Sequence, residues 1–213
     1  MSVAVVTFSR NKWPHWTRLA CESVRAALPD GAVHYILDGS SDWQRHKFES
    51  LNLAQYVAWV DDDDEVSQDA IRLCVEALER HGTGLAFTSE GWMDEDGRKQ
   101  DARVRPVSVW DACSHPGAIH HLAVFRRGAV DEEALQAALQ FGVGIDWLAR
   151  ARAMCLHGAV QVPIVGYWWR RHSAGLSNEP VELQTYQARM SDMRNLIASW
   201  VTPHARIDQF LPG

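Results

Sequence analysis

The chain has 213 residues, 46% of them hydrophobic, and a formal charge of -6, which is enough apolar material for one full core and most economically a single domain. Five of the acids form one run, Asp61-Asp62-Asp63-Asp64-Glu65. Without them the charge is nearly balanced, which removes any global electrostatic case for nucleic acid or an anionic membrane. No window approaches the roughly 18–20 apolar residues of a bilayer span, the first apolar run is too short for a signal segment, and four cysteines without Cys-x-x-Cys or zinc spacing read as reduced core thiols, so a cytoplasmic protein is expected.

Residues 3–8 form a short apolar run, a buried first strand that ends in the polar turn Ser9-Arg10-Asn11-Lys12. Pro14 opens a helix over 14–28, with apolar residues at helical spacing and Pro29-Asp30-Gly31 as the stop. Residues 32–37 supply a second strand and 38–42 its C-terminal loop. A third strand, from Tyr56, runs into the five acids and is followed by a helix over 67–81. This strand-helix alternation predicts parallel strands with right-handed crossovers and a ligand site at their C-terminal ends, so Asp38 and Asp61 to Asp64 should share one rim.

Downstream, 85–89 reads as a strand and 92–98 as a hairpin with an Asp-Gly turn. Residues 98–120 are irregular and polar, and 121–126 is strand-like. Helices are expected over 131–141 and 145–157, the second after the turn Gly142-Val143-Gly144. A last strand covers 161–168, a helix 182–200, and the tail runs from 201 to 213. Between 97 and 175 the charge leans positive, with ten Lys/Arg against six Asp/Glu, so an anion site belongs in this half.

The polar residues that stop the strands carry the chemistry. Packed carboxylates repel one another, and a hard divalent cation relieves that repulsion with oxygen ligands; a solvated turn favouring the positive end of the following helix is the structural alternative. With Thr7-Phe8-Ser9-Arg10 after the first strand, Asp38-Gly39-Ser40-Ser41-Asp42 after the second and Asp61-Asp62-Asp63-Asp64 after the third, the chain resembles the GT-A-fold glycosyltransferases, specifically the inverting family 2 enzymes. The resemblance continues in His121-Leu122-Ala123-Val124-Phe125-Arg126-Arg127, in Gly144-Ile145-Asp146-Trp147-Leu148-Ala149-Arg150, and in Trp169-Arg170-Arg171-His172 with Ser173 and Ser177 behind. It departs from the family pattern where Ile145 replaces a Glu and Trp169 a Tyr.

The resemblance implies an α/β, GT-A (Rossmann-like) mixed, mainly parallel sheet flanked by helices, with a catalytic domain over 1–178 and a C-terminal helix and tail over 179–213 packed on it. It implies a metal-dependent inverting enzyme that moves a sugar from a nucleotide-sugar donor, a UDP-sugar first of all, to a hydroxyl acceptor. The nucleotide falls to Thr7, Ser9, Arg10, Asp38 (or Asp42), Asp61, Asp62 and Arg170. Mn²⁺ or Mg²⁺ falls to Asp61, Asp63 and His172, with Asp64 beside them, and the general base is Asp146. Independently of any resemblance, a carboxylate at a helix start after a flexible Gly-x-Gly suits proton removal from an attacking hydroxyl, or simply caps the helix. Trp92 and Trp147, near loops or helix starts at the rim, are the aromatic faces expected to meet acceptor or sugar. Arg103 and Arg105 suit a phosphate or a solvated loop. A non-catalytic nucleotide-sugar-binding scaffold, supported by Ile145, and an enzyme acting on modified DNA bases are the competing readings.

Overall fold

The structure, a computed structural model, describes residues 1–210 except 11, 40, 41, 101, 103, 120, 121 and 173–179, and leaves aside the side chains of 180–183. Its first half is β1 (Val3–Ser9), α1 (Pro14–Ala27), β2 (Val33–Asp38), α2 (Trp43–Ser50), β3 (Tyr56–Asp61), β4 (Glu65–Val66) and α3 (Ala70–His81). The second half is β5 (Leu85–Met93), α4 (Val109–Ser114), β6 (Ala123–Arg126), α5 (Glu132–Phe141), α6 (Ile145–His157), β7 (Ala159–Arg170), α7 (Pro180–Trp200) and β8 (Ile207–Gln209).

The strands form one sheet in the order β2-β1-β3-β6-β5-β7-β4, with β8 also on β7. Pairs β1–β2, β1–β3, β5–β7 and β7–β8 are parallel, and β6 runs antiparallel between β3 and β5. This is a mixed, mainly parallel sheet flanked by helices in a single domain. Alternating residues of the central strands feed two cores. Ala4, Val6, Val57 and Trp59 pack against α6 and Met193, Ile197 and Trp200 of α7, whereas Val3, Val5, Ala58 and Val60 pack against α1 and α3. Strands covered on both faces explain why the sequence shows continuous apolar runs there. All four cysteines are free and buried, and among the described residues no helix is long and apolar enough to cross a membrane.

Register places the rim. Ser9 lies beside Asp38 across β1–β2, and Phe8 beside Asp61 across β1–β3, so both acidic strand ends flank the end of β1. The Asp-Gly turn after β5 forms as expected: Gly97 N–H donates to Asp94 O at 3.0 Å with Gly97 at φ +81°, a backbone region that glycine enters without strain.

Several elements differ from expectation, α4 (Val109–Ser114) among them, since it lies in a stretch expected to be irregular. Residues 43–50 form a helix that was not expected, because the face that α2 buries is polar (Gln44, Lys47, Ser50) and shows no apolar periodicity. β5 runs on to Met93 and β7 from Ala159 to Arg170, both longer than the apolar runs, since their outer parts pair with each other past a bulge at Thr88–Glu90. The tail contributes β8, which pairs with Ala159–Gln161.

Candidate functional site

The turn after β3 points its four aspartates in different directions. Asp64 is fully buried: it accepts from Tyr167 OH at 2.8 Å and from the Arg170 N–H at 2.7 Å. Burial and the neighbouring charges of Asp63 and Asp61 push its carboxyl well above the usual range. Asp62 turns toward α1, accepting from Ser9 Oγ at 2.6 Å and Thr17 Oγ1 at 3.4 Å. Burial raises its pKa as well. Asp61 and Asp63 are the two more open carboxylates, with side chains 41% and 18% exposed.

His172 stands over Asp63, with Nε2 2.8 Å from Oδ2. With Asp63 ionised its carboxylate only accepts, and Nε2 is then the donor of that contact. The ring is gripped by Trp13 and Trp16, whose centroids lie 4.9 and 4.4 Å away. Burial and the charge of Asp61 nevertheless hold the Asp63 carboxyl above its ordinary value.

Across the cleft, Asp146 opens α6. Lys47 Nζ donates to its Oδ1 at 2.7 Å and lies 3.8 Å from Asp61 Oδ1. The lysine is buried and ringed by Phe8, Trp43 and Trp59, whose centroids are 5.4–5.7 Å from Nζ. Burial alone would lower its pKa, but Asp146 and Asp61 more than offset this and hold it above the ordinary lysine value. One turn along α6, burial lowers the pKa of Arg150, while Asp146, Tyr186, Asp61 and Glu90 act in the opposite sense.

Several expected site residues have other tasks. Trp147 is core: it is 2% exposed and its Nε1–H donates to Ala112 O at 2.9 Å, so no sugar reaches it. Thr7 is fully buried and hydrogen-bonded to His34 Nε2 at 3.0 Å. Arg170, expected at the donor, is buried. Its buried guanidinium is spent on Asp63 O, Asp94 O, Glu95 O and the Glu65 carboxylate, bracing the acidic turn from below. Asp62 likewise faces inward.

Ser9, Arg10, Asp38, Asp61 and Asp63 do gather at the rim, with Arg10 Nε donating to Gly39 O at 3.2 Å. Asp42 pairs with Arg45 at 3.2 Å. Trp92 is half-buried at the end of β5. Asn11, Ser40, Ser41, Arg103, His120, His121, Ser173 and Ser177 lie outside the described residues. Sequence reasoning missed Lys47 and Tyr167. The first has no signal in a helix without apolar periodicity, and the second reads as one more apolar strand residue.

Asp61 and Asp63 fit a divalent cation by donor chemistry, since they are hard oxygens on one turn whose mutual repulsion a cation relieves. Among the described residues no three His, Cys, Asp or Glu side chains form a ready cage. Mg²⁺-type sites usually need only one or two carboxylates, the rest coming from water and substrate phosphates.

No protein-family model and no curated protein matches this chain. Solved structures match it in fold. TarS 1–349 from S. aureus aligns with a TM-score of 0.58 at 10% identity over 94% of this chain and 65% of that chain. TarS 1–349 in complex with UDP-GlcNAc aligns with a TM-score of 0.56 at 13% identity over 93% of this chain. The chain therefore spans 65% of the length of these neighbours, and what they establish is a shared fold.

Proposed function

We propose that the chain is a metal-dependent, inverting glycosyltransferase that moves a sugar from a UDP-sugar to a hydroxyl acceptor. The observation that carries this reading is the placement of Asp61 and Asp146 on one ammonium group, Lys47 Nζ, at 3.8 and 2.7 Å. A donor-side carboxylate and a carboxylate suited to proton removal thus face one cleft at the C-terminal rim of the sheet, where open α/β sheets take their ligands. The UDP-GlcNAc bound by TarS 1–349 supports a uridine donor.

In this reading Ser9, Arg10 and Asp38 line the nucleoside end of the donor and Asp61 and Asp63 its diphosphate end, with His172 steering the Asp63 carboxylate. A divalent cation, Mn²⁺ or Mg²⁺, held by Asp61 and Asp63 would supply positive charge against the departing diphosphate. The acceptor oxygen attacks the anomeric carbon as the bond to the diphosphate oxygen breaks, its electron pair leaving with UDP. The hydroxyl proton passes to the Asp146 carboxylate. With the base on the α6 side of the cleft and the leaving group on the β3 side, attack from the opposite face inverts the anomeric centre in one displacement.

A second reading, binding without turnover, is favoured by Ile145, which is buried where the family pattern has a carboxylate, and by the lysine already seated on Asp146.

Isothermal titration with UDP, GDP and TDP, each with Mn²⁺ and with EDTA, tests the donor assignment. Metal-dependent binding of UDP, weakened at least tenfold in Asp63→Ala, is expected; failure of all three nucleotides to bind with Mn²⁺ present overturns it. UDP-sugar hydrolysis or transfer then separates enzyme from binder.

A further inference from the structure

A cleft of about 380 Å³ opens beside the acidic site, between the outer parts of β5 and β7 and the irregular segment before α4; Trp92, Trp169, Arg105, Arg171, Gln161 and Glu90 line it. Arg171 lies on two indoles, its guanidinium carbon 4.3 Å from the Trp92 ring centroid and 4.6 Å from that of Trp169. Stacking of this kind fixes the plane of a guanidinium and leaves the N–H fork at its edge for a bidentate anion. Elsewhere the arginines near carboxylates use them: Arg152 takes Asp131 and Glu133, and Arg170 takes Glu65. Arg171 and Arg105, both exposed, make no ion pair among the described residues.

Arg105 is also held in place. Its carbonyl accepts from the Nε2 of buried Gln161 at 2.6 Å, its N–H donates to Ser89 Oγ at 3.2 Å, and Gln161 Oε1 accepts the Val107 N–H at 3.1 Å. Residues 104–108, which form no strand or helix, are thereby tied down on both sides of one arginine. Thr88, whose buried hydroxyl has no partner among the described residues, lines the same cleft. The one carboxylate among its described lining residues is Glu90, which is within electrostatic reach of Arg150, as are Asp146 and Asp61. Its charge disfavours an anion at that end and suits hydroxyls instead.

We propose that this cleft binds an anionic carbohydrate, a sugar bearing a phosphate or a carboxylate, with the anion on Arg171 and Arg105, a C–H face of the ring against Trp92, and its hydroxyls toward Glu90 and Asp146. The site stands on its own geometry; that its occupant is the acceptor rests on the glycosyl-transfer reading. Among the described lining residues the two arginines and the one glutamate stand as a basic end and an acidic end, a polarity that a neutral sugar does not use.

The test is titration of the full chain with glucose 6-phosphate, glucuronate, glucose and inorganic phosphate, followed by calorimetry and by the indole N–H resonances of Trp92 and Trp169. Glucose 6-phosphate or glucuronate should bind at least tenfold more tightly than glucose, and whichever binds better names the anion. The affinity should fall at least fivefold in Arg171→Gln and in Arg105→Gln, with melting temperature and UDP affinity unchanged. Arg171→Lys, which keeps the charge without the planar stack, should restore only part of it. The proposal is overturned if glucose binds equally well, if neither arginine variant weakens binding, if inorganic phosphate binds as tightly as the sugar phosphate, or if UDP displaces the sugar phosphate. Arginine-dependent binding of glucose 6-phosphate in a protein that ignores UDP would leave the cleft standing and remove only the donor reading.

Discussion

Lys47 and Asp146 lie 99 positions apart in the chain, yet Nζ meets Oδ1 at 2.7 Å inside a ring of three aromatic side chains. A buried ammonium that also reaches Asp61 joins the two halves of the cleft before any ligand arrives. Removing one partner of such a pair leaves the other charge uncompensated, which typically costs about 3–5 kcal/mol when both are buried; the Asp146 side chain is 24% exposed, so the lower end applies. Lys47→Met should therefore lower stability by roughly 3 kcal/mol and, by removing the cation that competes for Asp61, tighten Mn²⁺ binding. Asp146→Asn should leave UDP affinity within about twofold while transfer falls by roughly 10²–10⁴-fold, the usual worth of a general base. Denaturant melts and calorimetry read the first variant and a transfer assay the second; equal loss of UDP binding and transfer in Asp146→Asn would remove the base assignment.

The buried acids set a pH dependence. Asp64 holds its proton more tightly in the folded chain than in the unfolded one, because burial and then the charges of Asp63 and Asp61 oppose its ionisation. Above the ordinary carboxylate range the unfolded chain has released that proton while the folded chain retains it, so stability falls as pH rises toward the folded pKa and is flat beyond it. Each unit of elevation is worth about 1.4 kcal/mol, or roughly 3–5 °C at this size. In EDTA, the melting temperature of Asp64→Asn minus that of the wild type should increase from pH 4.5 to pH 8 (~3.5 units, a span chosen to cross the carboxylate range). A difference that stays flat across that range would mean that Asp64 is not the titrating group.

The strands were legible because both faces are covered and the apolar runs are continuous, and α6 matches its expected bounds, residues 145–157, because a Gly-x-Gly turn and a C-terminal Gly158 mark its ends. The direction in which each carboxylate of a four-aspartate run points was not legible. A turn reverses side chains residue by residue, and only the partners settle it: Ser9 for Asp62, His172 for Asp63, Tyr167 and Arg170 for Asp64. Lys47 was hidden for a related reason. Helix α2 buries Gln44, Lys47 and Ser50, and a polar inner face carries no hydrophobic period to detect.

Gly91 lies at a close approach between β5 and β7. An added Cβ would fall 2.5 Å from Trp168 Cζ3 and 2.7 Å from Ala102 Cβ, and Trp168 is itself tied by Nε1–H to Ser67 Oγ at 3.0 Å. Neither neighbour is a flexible chain end, so Gly91→Ala should cost about 1–3 kcal/mol by overpacking. Thermal melts check it, and a variant as stable as the wild type would show that the two strands separate more easily than their register implies.

Trp147 and Trp92 looked alike in sequence, each an aromatic residue beside a turn, and the fold separates them. Trp147 donates to Ala112 O and so fastens α4 onto the start of α6, whereas Trp92 stacks on Arg171 at the cleft. Trp147→Phe keeps most of the apolar volume but leaves a buried carbonyl without its donor, a loss of about 1–3 kcal/mol, and it should leave UDP and glucose 6-phosphate affinities unchanged. Trp92→Ala should do the reverse, weakening glucose 6-phosphate severalfold while the melting temperature moves little, since a half-exposed ring returns less to the core than a buried one. Calorimetry and melts on the two variants side by side decide the matter: were Trp147→Phe to weaken sugar phosphate binding without loss of stability, the assignment of that tryptophan to the core would be wrong.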